Sequence, residues 1–274
     1  MRIFFRLSSV FQITALAVLF LVVFWSQTGY NHFFKDRRSH YPAQVFLAPA
    51  TLVESSSFGF RNFLADVFWI QSVQYLIIEG LLKNSFMFQY LDIVTTLDPR
   101  FEYPYLFANL ILPRKGSIDE ARFLTDRGIE AIPSSWQIPF YLGVQYKVFS
   151  KDYEQALKYM NIAASKPGKP DYVDSLIASY TLRSGDQTSA RELFDAIYKT
   201  TTNEFIKQSA KAWIQEIDHI GLIQSLVFGY KRLYGVYPQT IDDLITKKLI
   251  GKIPDDIKSF RFIINQETGM LTIE

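Results

Sequence analysis

The stretch "WQIPFYLGVQYKVFSKDYEQALKYMNIAASKPGKP", residues 136–170, reads as two apolar helical segments divided by a polar break and closed by proline. Leu142, Gly143 and Tyr146 lie at helical spacing in the first segment, and Ala156, Met160 and Ala163 in the second. The closing Pro167 stands 34 residues after Pro133 in "EAIPSSW", which itself stands 34 residues after Pro99 in "TTLDPRFEYPYLF". Proline has no N–H to donate, and its ring clashes with the carbonyl one turn back, so each of these residues stops a helix. Stops at a fixed period predict a repeated helical hairpin.

Working outward from this stretch, helices are expected over about 102–112, 118–131, 136–149, 152–165, 171–183 and 187–199, with Gly116 in "PRKGS" and Gly185 in "RSGDQ" marking breaks. Upstream, "RNFLADVFWIQSVQYLIIEGLL" and "SFMFQYLDIVTTL" give two more helices, the second stopped by Asp98-Pro99. No period-2 alternation runs through this region. Residues 31–60 mix charges, prolines and a serine run, and are expected to be a connector. Residues 202–235 are expected to supply one or two capping helices. Residues 236–274 are expected to form an appendage, with a short helix after Thr240 and a β-hairpin of Phe260–Asn265 and Met270–Ile273 around "QETG".

A 34-residue helix-turn-helix period with a large residue, Leu-Gly, an aromatic, small residues on the second helix and a closing proline resembles the tetratricopeptide repeat. Trp136, Leu142, Gly143, Tyr146, Ala156, Met160, Ala163 and Pro167 carry the likeness, with one residue inserted before Asp152-Tyr153. The preceding unit matches at Tyr105, Ala108, Gly116, Ala121, Gly128 and Pro133, and the following one at Ile177, Ala178, Gly185, Ala190 and Phe194. With a degenerate first pair, the resemblance spans roughly residues 66–201. It implies an all-α solenoid of about four helix pairs over 61–201, in which Gly143, Ala121, Ala156, Ala178 and Ala190 let helix axes approach. It also implies a concave binding face made by the first helix of each pair. By register that face comprises Trp69, Tyr103, Leu110, Gln137, Phe140, Val144, Lys147 and Tyr172, suited to an extended peptide or a helix.

The amino-terminal sequence is of a different kind. No charged residue occurs from Leu7 to Phe34, and "VFQITALAVLFLVVFW" (Val10–Trp25) contains eleven Leu, Ile, Val or Phe residues. At roughly −0.3 to −0.6 kcal/mol each, they favour insertion by about 3 to 7 kcal/mol. The apolar run exceeds the h-region of a signal peptide, and "WSQTGYN" offers no small-residue cleavage site, so residues 1–30 are expected to be an uncleaved transmembrane signal-anchor embedded through residues 8–26. Arg2 and Arg6 face Lys35, Arg37 and Arg38 across it. The expected orientation has the amino terminus inside and the rest exported from a bacterial inner membrane. The anchor followed by "LADVFWIQSVQYL", "TTLDPRFEYPY" and the repeats also resembles bacterial envelope-anchored tetratricopeptide proteins.

Composition narrows the chemistry. Of 29 basic residues, Arg2 and Arg6 account for the net charge of +2, leaving 27 against 27 acidic, so nucleic acid is not an expected partner. The absence of cysteine excludes disulfides, thiolate nucleophiles and cysteine-ligated metals. His32, His40 and His219 share no ligand spacing, and the sequence has no GxGxxG, Walker-type or G-x-S-x-G motif. Carboxylates in "DEARFLTDRGIE" read as a solvated, ion-paired helix face. No catalytic residue, metal site or cofactor is expected. The sequence therefore reads as a membrane-anchored scaffold for an envelope protein. The alternative is a structural subunit that makes its contacts through the anchor and the tail, with the repeats as a spacer.

Overall fold

A computed structural model describes residues 47–79 and 86–273, together with Val18, Leu21, Val22, Phe24 and Trp25. The chain divides into two units, 1–47 and 48–274. In the first, Val18, Leu21, Val22, Phe24 and Trp25 are helical and their apolar side chains are exposed. The rest of the expected anchor lies outside the described residues, among which no helix is long and apolar enough to cross a membrane.

The second unit is mostly helical. Its helices are α1 (Ala50–Ser55), α2 (Arg61–Glu79), α3 (Met87–Leu97), α4 (Glu102–Ile111), α5 (Ile118–Ala131), α6 (Gln137–Gln145), α7 (Tyr153–Ala164), α8 (Tyr172–Arg183), α9 (Gln187–Thr200), α10 (Glu204–Tyr234) and α11 (Asp242–Thr246). Helix α1 lies inside the stretch expected to be a connector. It spans only six residues, too few to show a period, and it packs on α3. Arg61 ties this entry together, pairing with Glu54 at 2.7 Å and donating to the Thr96 carbonyl at the end of α3.

Packing follows chain order. Helix α2 lies against α3, α4 against α5, α6 against α7 and α8 against α9, and each pair also contacts the next through α3–α4, α5–α6, α7–α8 and α9–α10. The breaks have local causes. Asp152 and Asp186 cap α7 and α9 by accepting the amide hydrogens of Gln155 and Ser189 at 2.9 and 3.0 Å. Gly116 and Gly185 turn the chain in the left-handed region, with φ of 80° and 100°. At the Pro99 stop, the hydroxyl of buried Tyr105 donates to the Pro99 carbonyl at 3.0 Å, so the junction is held by the helix that follows it.

One buried cluster runs from Met87 on α3 to Tyr180 on α8. The small residues expected at crossings, Ala121, Gly143, Ala156, Ala178 and Ala190, are all buried. A polar relay crosses this core: Thr125 donates to Asn109 Oδ1 at 2.8 Å, and Asn109 donates to the Ile138 carbonyl at 3.0 Å, linking α5, α4 and α6. These groups are satisfied by one another and so avoid the cost of an unpaired buried polar atom.

The capping region is one helix, the 31-residue α10, rather than two; it starts at an Asn203 cap and ends at Gly235 with φ 80°. Its Ile217, Ile220, Ile223 and Val227 join a second cluster with α8, α9 and the tail. In the tail, strands β1 (Phe262–Ile264) and β2 (Leu271–Ile273) pair antiparallel, with Ile263 opposite Thr272. Ile264, Leu271 and Ile273 point inward, while Ile263 and Thr272 point out, as the period of two requires. The strands are shorter than the expected ones. Asn265 closes the turn by accepting the amide hydrogens of Glu267 and Thr268, and Gly269 takes φ 74°.

Candidate partner-binding groove

The first helix of each pair brings a band of rings to one face. Trp69 on α2 meets Phe101 and Phe107 edge to face, with centroids 5.7 and 5.2 Å apart. On α4, Tyr103, Leu106, Phe107 and Leu110 recur at intervals of three and four residues and so share one side of the helix. Together with Tyr141 of α6 they line an open groove of ≈ 390 Å³. Every lining residue is aromatic or leucine. Tyr103 is 67% exposed, Leu110 44% and Tyr141 42%. Large apolar side chains clustered with this much exposure mark an interaction surface more often than scattered ones do.

Three of the eight expected site residues, Trp69, Tyr103 and Leu110, therefore meet in the groove. The register on α6 differs from expectation by one residue. Phe140 is 7% exposed and packs edge to face with Trp136, Tyr141 and Tyr172, and it is Tyr141 that faces the groove. The reason is local: Trp136 and Tyr172 converge on the position next to Tyr141 and cover it. Tyr172 keeps one side in solvent, and burial followed by the nearby Tyr141 raises its pKa. Val144 packs on the first core cluster, and Gln137 accepts a long hydrogen bond from Ser135 Oγ at 3.4 Å. Lys147 lies on a different cleft. The groove residues missed from sequence are Leu106, Phe107 and Tyr141. The first two were visible as members of the same three-to-four spacing that joins Tyr103 to Leu110.

Several ionisable groups form structural pairs. Arg127 pairs with Asp92 at 2.9 Å, donates to Thr95 Oγ1 and Thr96 Oγ1 at 2.8 and 3.1 Å, and lies 5.0 Å from the Phe123 ring centroid. One guanidinium thus fastens α5 to the last turn of α3, and its cation favours that helix terminus. Tyr159 donates to Asp126 at 2.9 Å, and burial followed by this contact raises its pKa. His219 meets Asp256 at 2.7 Å, joining α10 to the tail. Hydrogen bonds from Lys258 and Lys252 lower the Asp255 pKa to about 2. Among the described residues no group of three His, Asp or Glu could hold a metal ion. His32 and His40 lie outside them.

No protein-family model matches this sequence, and comparison with curated proteins finds no match.

Proposed function

We propose that this chain is a membrane-anchored, tetratricopeptide-like scaffold that holds a protein partner of a bacterial envelope assembly in the groove between α2, α4 and α6, without catalysis and without a cofactor. The helical hairpins stack as a solenoid, and the band from Trp69 to Tyr141 lies on its concave side. The apolar run of residues 8–26 fixes the chain in the inner membrane as a single span, with the repeats outside the cytoplasm. Support for the anchor is the charge-free sequence from Leu7 to Phe34. Nucleic acid is not among the ligands of this reading, since the repeats and tail carry balanced charge.

The observation that carries the reading is the groove itself, lined by six aromatic or leucine side chains, of which Trp69, Tyr103 and Leu110 stand at expected repeat positions and Tyr103, Leu110 and Tyr141 are exposed. Its ligand is an amphipathic helix or extended segment that places two or three large apolar side chains against Trp69, Phe107 and Leu110. Each such side chain, fully buried, contributes roughly 1.5 to 3 kcal/mol, and the rings supply rigid contact area at low entropic cost.

A photo-crosslinking amino acid at Leu110, in cells, tests it. The expected result is a discrete adduct with an envelope protein that disappears when Tyr103→Asp and Trp69→Ala are added to the same chain. Adducts that persist unchanged in that variant, or none at Leu110 alongside a strong adduct from the hairpin at Ile263, would overturn the groove in favour of a tail-mediated structural role.

A further inference from the structure

Three phenylalanines crowd the passage from α1 into α2, and all three are open to solvent. Phe58 is 89% exposed, Phe60 66% and Phe63 64%. A single exposed ring is ordinary, but three within six residues make an apolar edge. The Leu64 N–H already donates to the Phe60 carbonyl at 2.9 Å, so Phe60 and Phe63 stand one helical turn apart and share a side of α2.

The turn holds Phe58 outward. Ser57 is buried; its N–H donates to the Glu54 carbonyl at 3.1 Å, and its own carbonyl accepts the Phe60 N–H at 2.8 Å. Between these two bonds Phe58 takes φ 47° and Gly59 φ 89°. Among the described residues Phe58 is the only aromatic one in the left-handed region. Bulky side chains rarely adopt that conformation, and those that do cluster at binding positions. A Cβ built on Gly59 would meet nothing within 4 Å, so the tip is open. No charged residue occurs from Ser55 to Phe60, and Arg61, next in the chain, pairs with Glu54 at 2.7 Å.

We propose that this edge dips into the lipid surface of the membrane, burying Phe58, Phe60 and Phe63 at the boundary between headgroups and acyl chains. The inference rests on the proposed anchor. That span is expected to end at residue 26, and the 21 residues from there to Leu47 reach at most about 75 Å in any arrangement. Beyond this tether, the three rings are the exposed aromatic side chains nearest to the span in sequence among the described residues. With Arg61 paired, the edge needs no anionic headgroup, and a zwitterionic bilayer suffices. Area argues against a second copy of the chain as the occupant. At these exposures the three rings offer on the order of 300 to 550 Å² in all, short of the roughly 800 Å² per partner of a stable protein interface. A tethered lipid contact has no such threshold, because the surface is already present at high effective concentration.

The test uses the full chain in phosphatidylcholine vesicles, with an environment-sensitive fluorophore on a single thiol, Ser56→Cys, beside the turn. Blue-shifted emission is expected, quenched at least twofold by phosphatidylcholine brominated near the head of its acyl chains. Phe58→Asp with Phe60→Asp in the same chain should remove at least half of that quenching. The control Phe205→Asp, at a ring 83% exposed elsewhere, should change nothing. The same fluorophore on Val18→Cys reports the span itself. Quenching at residue 18 but not at residue 56 would overturn the inference and leave the anchor standing, whereas quenching at neither would overturn both. Blue-shifted emission at residue 56 without quenching would mean that protein covers the edge, either a second copy or the residues ahead of α1, and would also overturn it. Phe58→Gly separates contact from fold: it relieves the left-handed strain, so Tm in detergent should stay equal or rise while quenching weakens. A lower Tm would make the ring part of the packing and refute its role at the lipid surface.

Discussion

A Cβ placed on Gly143 would lie 2.9 Å from the carbonyl oxygen of Ala156 and 3.0 Å from Met160 Cγ. The first of these neighbours is backbone, so α6 and α7 can accept a side chain only by moving apart. Gly143→Leu is therefore expected to destabilise the fold by about 1 to 3 kcal/mol through overpacking. Gly221, within α10, meets nothing within 4 Å at its Cβ position, and Gly221→Ala should stabilise by about 0.5 to 1 kcal/mol through helix propensity and the unfolded chain. Urea denaturation of the two variants should show shifts of opposite sign. Equal behaviour would mean that the close approach of α6 and α7 is not maintained in solution.

The same contact shows what could be read from sequence. Gly143, Ala156 and Ala190 were recognisable as crossing residues because helix packing fixes their spacing, and the prolines fixed the stops. The choice between Phe140 and Tyr141 was not recognisable, since both are aromatic and adjacent. What decides it is the convergence of Trp136 from its own helix with Tyr172 from the next pair. Helix α1 was hidden because six residues carry no period. The insertion before Asp152 was visible as one extra residue, but its form, a π turn ending in left-handed Lys151, depends on backbone geometry that composition does not encode.

Tyr105 gives the fold an alkaline limit. Burial, opposed by Arg127 and assisted by Asp98, pushes its pKa from 10.0 up to about 12. The native state thus holds the phenol proton more tightly than the unfolded chain does. This contribution is fully present below pH 10 and is lost as pH rises toward about 12. A rise of this size corresponds to on the order of 1 to 3 kcal/mol. Tyr105→Phe should cost about 0.5 to 1.5 kcal/mol at pH 8, the hydrogen bond to Pro99 being lost, yet lose less stability than the parent between pH 10 and 12. Parallel pH profiles for the two proteins would refute the assignment.

Gln224 fixes the hairpin to α10. Its amide donates to the Gly269 carbonyl at 2.8 Å and accepts the Leu271 N–H at 2.7 Å, doing for β2 what a further strand would do. Gln224→Leu leaves both backbone groups without these partners and should accelerate hydrogen exchange at the Leu271 amide by tenfold or more, with little change in exchange on α4 or α6. Gln224→Glu keeps the acceptor for Leu271 but loses the donor to Gly269, so Leu271 should stay protected. Exchange unchanged in the Leu variant would show that apolar burial of Leu271 and Ile273 alone holds the tail in place.

Ser184 ends α8 in an exposed turn, where its hydroxyl donates to the Thr181 carbonyl at 2.8 Å. The chain has no cysteine, so Ser184→Cys adds a single thiol. Loss of one exposed side-chain hydrogen bond should change stability by less than about 1 kcal/mol. In intact cells whose outer membrane has been opened, a maleimide that cannot cross the inner membrane should label it, as the proposed orientation requires. Arg2 and Arg6 nearly balance Lys35, Arg37 and Arg38, so residue charge alone leaves the two orientations close in free energy. Labelling only after lysis would place the groove in the cytoplasm, and its ligand would then be a cytosolic protein recruited to the membrane.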